Sequence, residues 1–128
     1  MEGYKVVVRE SSKELTAKER IRIKDTTNAI KLDEVVDYKD GTRLRIDVDY
    51  YAVLDVHNEN SENKDYCVYV IADKNGTTYV TGSEAFFTSF TDIYDEMSDD
   101  ESGEEWAIEV YKKPSKNYNG EFITCSIL

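Results

Sequence analysis

Apolar positions along the chain follow two rhythms, and the change from one to the other falls within its clearest stretch, Asp65 to Met97. Tyr66-Cys-Val-Tyr-Val-Ile-Ala72 is rich in aromatic and β-branched residues. It is apolar on both parities, with Tyr66, Val68 and Val70 on one and Cys67, Tyr69 and Ile71 on the other. A strand with no polar face is covered on both sides, so the pattern predicts a central place in its sheet. Asp73-Lys-Asn-Gly76 separates it from Thr77-Thr-Tyr-Val-Thr81. Asn-Gly between two such runs predicts a hairpin closed by a type I′ turn, which needs positive φ at both central residues. Thr81-Gly-Ser-Glu84 then has the spacing of a capping box. Phe86, Phe90, Ile93 and Met97 follow at spacings of four, three and four, flanked by Phe87 and Tyr94. This predicts an amphipathic helix ending near Ser98.

Elsewhere the rhythm is mostly that of strands. Leu44, Ile46 and Val48 alternate with Arg45, Asp47 and Asp49, and Tyr50-Tyr-Ala-Val-Leu-Asp-Val56 continues the run. One long bent strand, or two short ones joined near Asp49, fits this pattern. Residues 57–64 have loop composition. Trp106, Ile108 and Val110 alternate with Ala107, Glu109 and Tyr111, and a last apolar run reaches from Glu121 to Leu128. Near the start, Tyr4-Lys-Val-Val-Val-Arg9 could form a short strand. Thr16-Ala-Lys-Glu19 matches a capping box and hints at a helix to about Lys24, whereas Arg20-Ile-Arg-Ile-Lys24 alternates like a strand. Both templates fit, so residues 1–37 are read as an N-terminal extension of open form and residues 38–128 as the main part of a single domain.

The resulting order is three strands (43–56, 65–72 and 77–81), one helix, and two strands (105–111 and 120–128). The fold class is mainly β with one principal helix. This is the element order of the five-stranded OB-like Greek-key barrel, whose helix lies between the third and fourth strands. An open antiparallel α+β sheet with the helix on one face has the same order.

Composition narrows the function classes. The chain has 128 residues, 40% hydrophobic and 12% aromatic, enough for a packed core and too apolar for disorder. A formal net charge of −11 argues against a whole-surface duplex binder but leaves room for one local basic groove. Cys67 and Cys125 each sit inside an apolar run and read as buried reduced thiols. No apolar stretch approaches the ~20 residues of a spanning helix, and no signal-peptide pattern is present, so no membrane association and a cytoplasmic location are expected.

Catalysis and cofactors find little support. His57 is the only histidine, neither cysteine belongs to a C-x-x-C pair, and no Gly-rich phosphate loop appears. No enzyme activity, catalytic residue, metal or cofactor is expected. Two charged stretches remain. Asp92, Asp95, Glu96, Asp99, Asp100, Glu101, Glu104 and Glu105 accumulate without a Lys or Arg among them. They fail the EF-hand pattern and read as a solvated helix end, a contact for a basic partner, or a mimic of phosphate charge. The opposite pole, Lys112–Gly120, carries Lys112, Lys113, Lys116 and Tyr118 without an acid. In the barrel mapping it is the loop between strands four and five, which binds oligonucleotides in that fold. Tyr69 and Tyr79 would offer stacking platforms, and Arg43 and Arg45 would extend the phosphate track. Read without that mapping, the lysines are ordinary solubilising charge.

Lys13-Glu-Leu-Thr-Ala-Lys-Glu-Arg20, Tyr79-Val-Thr-Gly-Ser-Glu-Ala85, Pro114-Ser-Lys-Asn-Tyr-Asn-Gly120 and Phe122-Ile-Thr-Cys-Ser126 resemble segments of small bacteriophage and mobile-element proteins of Gram-positive bacteria. Some of those are assigned as single-stranded-DNA-binding proteins. The resemblance spans most of the chain, and no segment is a diagnostic motif. It departs from phage single-strand binders that end in an acidic tail, because here the acid is internal. The resemblance implies a non-enzymatic single-stranded-DNA-binding protein of phage or mobile-element replication or recombination, working in the bacterial host cytoplasm. Its partner would be single-stranded DNA, with a replication or nucleic-acid-processing protein and further copies of itself as the additional candidates. The alternative is an acidic inhibitor or adaptor, a DNA mimic binding a nucleic-acid enzyme through residues 92–105, chiefly Asp95, Asp99, Asp100, Glu101 and Glu104. A structural phage protein assembling through sheet edges is a third reading.

Overall fold

The computed structural model describes residues 3–37, 39, 41–114 and 121–128. In chain order the elements are β1 (Tyr4–Ser11), α1 (Ala17–Lys24), a 3-10 turn (Thr26–Asn28), β2 (Ile30–Lys31) and α2 (Leu32–Val35). Then come β3 (Leu44–Ile46), β4 (Val48–Asn58), β5 (Asp65–Asp73), β6 (Thr78–Thr81), α3 (Glu84–Ser98), β7 (Ile108–Pro114) and β8 (Glu121–Ile127). The protein is mainly β, with two sheets ordered β1-β4-β5-β6-β2 and β3-β7-β8. Among the described residues, no helix is long and apolar enough to cross a membrane.

A closed barrel does not form. The predicted first strand is two strands that part at Asp47. β4 lies beside β5 in the larger sheet, while β3 pairs with β7 in the smaller. β5 pairs with β6, and β7 with β8. A ring of these five would need β6 to pair with β8. Instead β6 takes the two-residue β2 as its outer neighbour and β8 is an edge, so both sheets stay open.

The chain divides into two compact units, Met1–Ile30 with Asp49–Gly82, and Lys31–Val48 with Ser83–Leu128. In the first, the N-terminal segment is built into the sheet. β1 runs antiparallel to β4 from Tyr4↔Asn58 to Ser11↔Ala52, with a bulge between Val8 and Glu10. The ambiguous stretch after it is helical. Thr16 Oγ1 accepts from the Glu19 amide at 3.2 Å while Glu19 accepts from the Thr16 amide at 2.9 Å. Lys13 lies 2.7 Å from the same carboxylate. The Lys13 contact, then the Thr16 amide, holds the Glu19 carboxyl down to about 2. In this helix Ile23 is 1% exposed and Ile21 is 70% exposed, so the apparent alternation is one core residue and one surface residue. Ile23 joins Leu15, Tyr50, Ala52, Leu54, Val56, Val70, Ala72 and Val80 in the core.

β5 is the middle strand of five, as its two apolar parities predict. The hairpin that follows forms with a different turn. Among the turn residues Gly76 alone has positive φ (88°), and Asn75 does not. The Gly76 amide donates to the Asp73 carbonyl at 3.1 Å, and the Asp73 amide to the Thr77 carbonyl at 2.9 Å. This is the three-residue connection with a glycine bulge rather than a type I′ turn. The buried Asp73 side chain decides the difference. Its Oδ1 accepts from the amides of Asn75 and Thr77, each at 2.9 Å, and its Oδ2 from the Tyr79 hydroxyl at 3.3 Å.

In the second unit, Ile46, Ile108, Val110, Ile123 and Cys125 share the buried face of the three-stranded sheet. α3 packs along β8. Phe86 and Phe90 are fully buried and stacked 6.2 Å apart, and Tyr94 lies edge-on to Trp106 at 5.9 Å. The helix spans its predicted length, but its cap is Ser83, which accepts from the Phe86 amide at 3.1 Å. Thr81 cannot serve there because it is committed to β6 opposite Tyr69. Both cysteines are free thiols, and burial pushes Cys125 up to about 12.

Asp73→Ala, which removes the carboxylate that two turn amides and the Tyr79 hydroxyl bond to, should cost about 1–3 kcal/mol. Asp73→Asn keeps an acceptor oxygen for the amides and should cost clearly less. Urea unfolding of the three proteins measures both.

Candidate nucleic-acid interface

In the second unit, period-two geometry puts Glu109, Tyr111 and Lys113 of β7 on the face opposite Ile108 and Val110. Register brings Ser126, Thr124 and Phe122 of β8 beside them, in that order. Arg45 of β3 pairs with Glu109, and Arg43 lies one step beyond the Leu44↔Val110 pair. Cations from two strands thus meet one ring. The Arg43 guanidinium sits 4.4 Å from the Tyr111 centroid and the Lys113 ammonium 5.7 Å from it. The Tyr111 hydroxyl shares a 2.6 Å hydrogen bond with Ser126.

Exposure sorts these groups by what they can do. Tyr111 is buried, so it holds cations rather than stacking bases. Phe122 is 41% exposed and pairs with Lys113 across the β7–β8 ladder. The Arg43 and Arg45 side chains are more than half exposed. Each has a carboxylate near it, Glu109 at 3.4 Å from Arg43 and Asp47 at 3.0 Å from Arg45. Exposed pairs of this kind are weak and exchange readily for other anions. The arrangement is a small cationic surface with one buried and one exposed ring.

The remaining sequence candidates are placed differently. Lys112 and Lys113 belong to β7 rather than to a loop, and successive strand residues face opposite ways. The Lys112 ammonium donates to the Asp33 carbonyl at 2.8 Å, which ties β7 to α2 and removes it from the phosphate track. Tyr79 is 7% exposed with its hydroxyl engaged by Asp73, so no base can stack on it. Tyr69 is half-buried opposite Thr81 in the first unit. Lys116 and Tyr118 lie outside the described residues. Tyr111 and Phe122 were not singled out by sequence. The parity that put Tyr111 beside Glu109 was visible, but the β3–β7 register that brings Arg43 to it was not.

The acidic residues Asp95, Asp99, Asp100, Glu101 and Glu104 are all exposed at the end of α3 and just beyond. The Asp99 amide closes the helix by donating to the Asp95 carbonyl at 3.2 Å. Asp100 accepts from the Ser102 hydroxyl and amide, which hold its carboxyl below the usual range. Among the described residues, no group of three or more His, Cys, Asp or Glu side chains is arranged to hold a metal ion.

A second surface lies in the first unit. Lys5, Val7, Arg9, Asp55, His57, Asp65 and Cys67 line an open concavity of about 430 Å³ on β1, β4 and β5. Arg9 grips Asp55 with two nitrogens, at 2.7 and 3.1 Å. His57 bridges Asp65 at 2.7 Å and Glu59 at 2.6 Å, and these bonds, Asp65 first, raise its imidazole above the ordinary value. A histidine raised on folding adds stability that is complete below its unfolded value near 6.5 and lost as pH climbs through the raised one. Melting temperature should therefore fall over that window, and His57→Gln should flatten the fall. Thermal melts from about pH 5.5 to about pH 8.5 measure this.

Comparison with protein-family models, with curated proteins and with solved structures returns no match for this chain.

Proposed function

We propose that the protein is a non-enzymatic single-stranded-DNA-binding protein of the phage or mobile-element kind that its sequence resembles. The observation that carries this reading is the meeting of Arg43 and Lys113 over Tyr111, with Phe122 exposed beside them. Unpaired strands need cations for phosphates and flat groups for bases, and an arginine plane or an exposed phenylalanine serves the second need. Strand order supports it too. Four of the strand pairings that an OB-like ring would use occur in the two open sheets, and the sequence between β7 and β8 carries Lys116 and Tyr118. We read the fold as an opened OB-like arrangement, the class in which the connection between the last two strands binds oligonucleotides.

Fluorescence anisotropy with labelled oligo-dT tests the proposal. Three cations, Arg43, Arg45 and Lys113, should give a slope of log K against log salt of about −2. Phe122→Ala should weaken binding by about 1–3 kcal/mol. Arg43→Gln should lower both affinity and slope, and a duplex of equal length should compete poorly. Absence of binding at low salt, or binding indifferent to Phe122→Ala and Arg43→Gln, overturns the reading. Capture of a basic nucleic-acid enzyme through residues 92–105, without oligonucleotide binding, would favour the acidic-inhibitor reading instead.

A further inference from the structure

The apolar stripe of α3 is covered unevenly. Phe86 and Phe90 are fully buried, whereas Ile93 and Met97, one and two turns on, are only partly covered. With Ile127, which is 48% exposed, they floor a groove of about 250 Å³ whose rim is Asp92 and Glu96. These rim acids stand one turn apart on the same side. No Lys or Arg occurs from Glu84 through Glu105 to neutralise them in sequence. An occupant must therefore bring an apolar side chain flanked by cations.

The chain carries that complement itself. Ile21 of α1 is 70% exposed, the most exposed of the large hydrophobic residues among the described residues. Lys18 and Lys24 lie three residues before and after it, on the same face, and both are exposed. Over six residues of helix they are about 9 Å apart, within reach of two acids separated by about 6 Å given flexible lysine stems. Arg20 is not part of this face, since its guanidinium turns back to the Leu15 carbonyl at 2.7 Å.

We propose that the groove formed by Ile93, Met97 and Ile127 seats α1 of a second copy of this chain, with Ile21 as the inserted side chain and Lys18 and Lys24 against Asp92 and Glu96. Where each copy's helix enters the other's groove, the pairing closes a two-fold dimer; where it is not reciprocal, the contact is heterologous and runs on head to tail as an array. A contact centred on one isoleucine is small and therefore weak in free solution. The inference does not rest on strand binding.

Sedimentation velocity of the full chain, without nucleic acid, up to about 0.5 mM at low salt, tests it. The wild-type protein should associate with rising concentration, and Ile21→Asp should lower the association constant at least about tenfold. One variant carries Lys18→Glu with Lys24→Glu, and another Asp92→Lys with Glu96→Lys. Each alone should stay monomeric. Mixed, they should associate again, because every groove then meets a helix of opposite charge. All these positions are at the surface except the groove floor, which is left unchanged, and circular dichroism checks that each variant is folded. A wild-type protein that remains monomeric throughout, or association untouched by Ile21→Asp, or a mixture that does not recover, overturns the proposal. Oligo-dT titration of the same variants reads strand binding separately.

Discussion

A stretch of strand whose successive side chains are all buried must be covered on both faces, and the middle of β4 and the end of β5 impose that constraint on what surrounds them. Ala52, Val53 and Leu54 are no more than 2% exposed, and so are Val70, Ile71 and Ala72. Such stretches have no polar side chain to hydrate, so their backbone groups must be paired along both edges. β1 and β6 supply the outer partners, which is why an N-terminal segment that looks dispensable in sequence belongs to the sheet. The first polar side chain after the buried run of β5 is Asp73. It is enclosed with the run's end, and the chain can reverse there because its carboxylate satisfies the turn amides that the reversal leaves over.

Legibility in the sequence follows the range of the interaction. The span of α3 and the central place of β5 were readable because each is written in a local period that burial then enforces. The turn between β5 and β6 was misread because Asn-Gly is a statistical signal, whereas Asp73 two residues earlier captures the Asn75 amide and fixes another geometry. The cap of α3 moved from Thr81 to Ser83 for a similar reason, since ladder pairing with Tyr69 holds Thr81 extended. Arg20-Ile-Arg-Ile-Lys24 could not be resolved locally, because the choice turns on which isoleucine the core takes up. The failure of the barrel to close is the least local of all. It depends on β6 pairing with Ile30–Lys31 instead of β8, and those residues carry no strand pattern of their own.

The candidate surface was half legible on the same principle. Arg43, Arg45 and Lys113 stood out as cations in an acidic chain, yet what gathers two of them is Tyr111, a residue that composition marks only as one of ten tyrosines. Lys112 illustrates the converse. As one of a pair of adjacent lysines it looked equivalent to Lys113, but adjacent strand residues face opposite ways, and its ammonium is spent on the Asp33 carbonyl. Period two, which revealed the strand, also divides its lysines.

Charge sets the balance between grip and stacking on such a surface. Two of its cations have carboxylates within 3.4 Å, so a phosphate that displaces Glu109 or Asp47 gains less than it would from an unpaired arginine. The remaining negative charge acts at a distance, and at physiological salt it is screened beyond about 8 Å. On the proposed reading, a compact patch would therefore attract a single strand laid directly on it, while the net charge of −11 would disfavour a stiff duplex of higher charge density. Phosphate contacts alone would be too few to hold that strand. On the proposed reading, the larger part of the affinity would come from Phe122 and from the Arg43 plane, whose contacts with unstacked bases would not compete with the neighbouring carboxylates. That favours bases that are already unpaired, and it makes ring burial rather than net charge the quantity that separates a binding surface here from a merely solvated one.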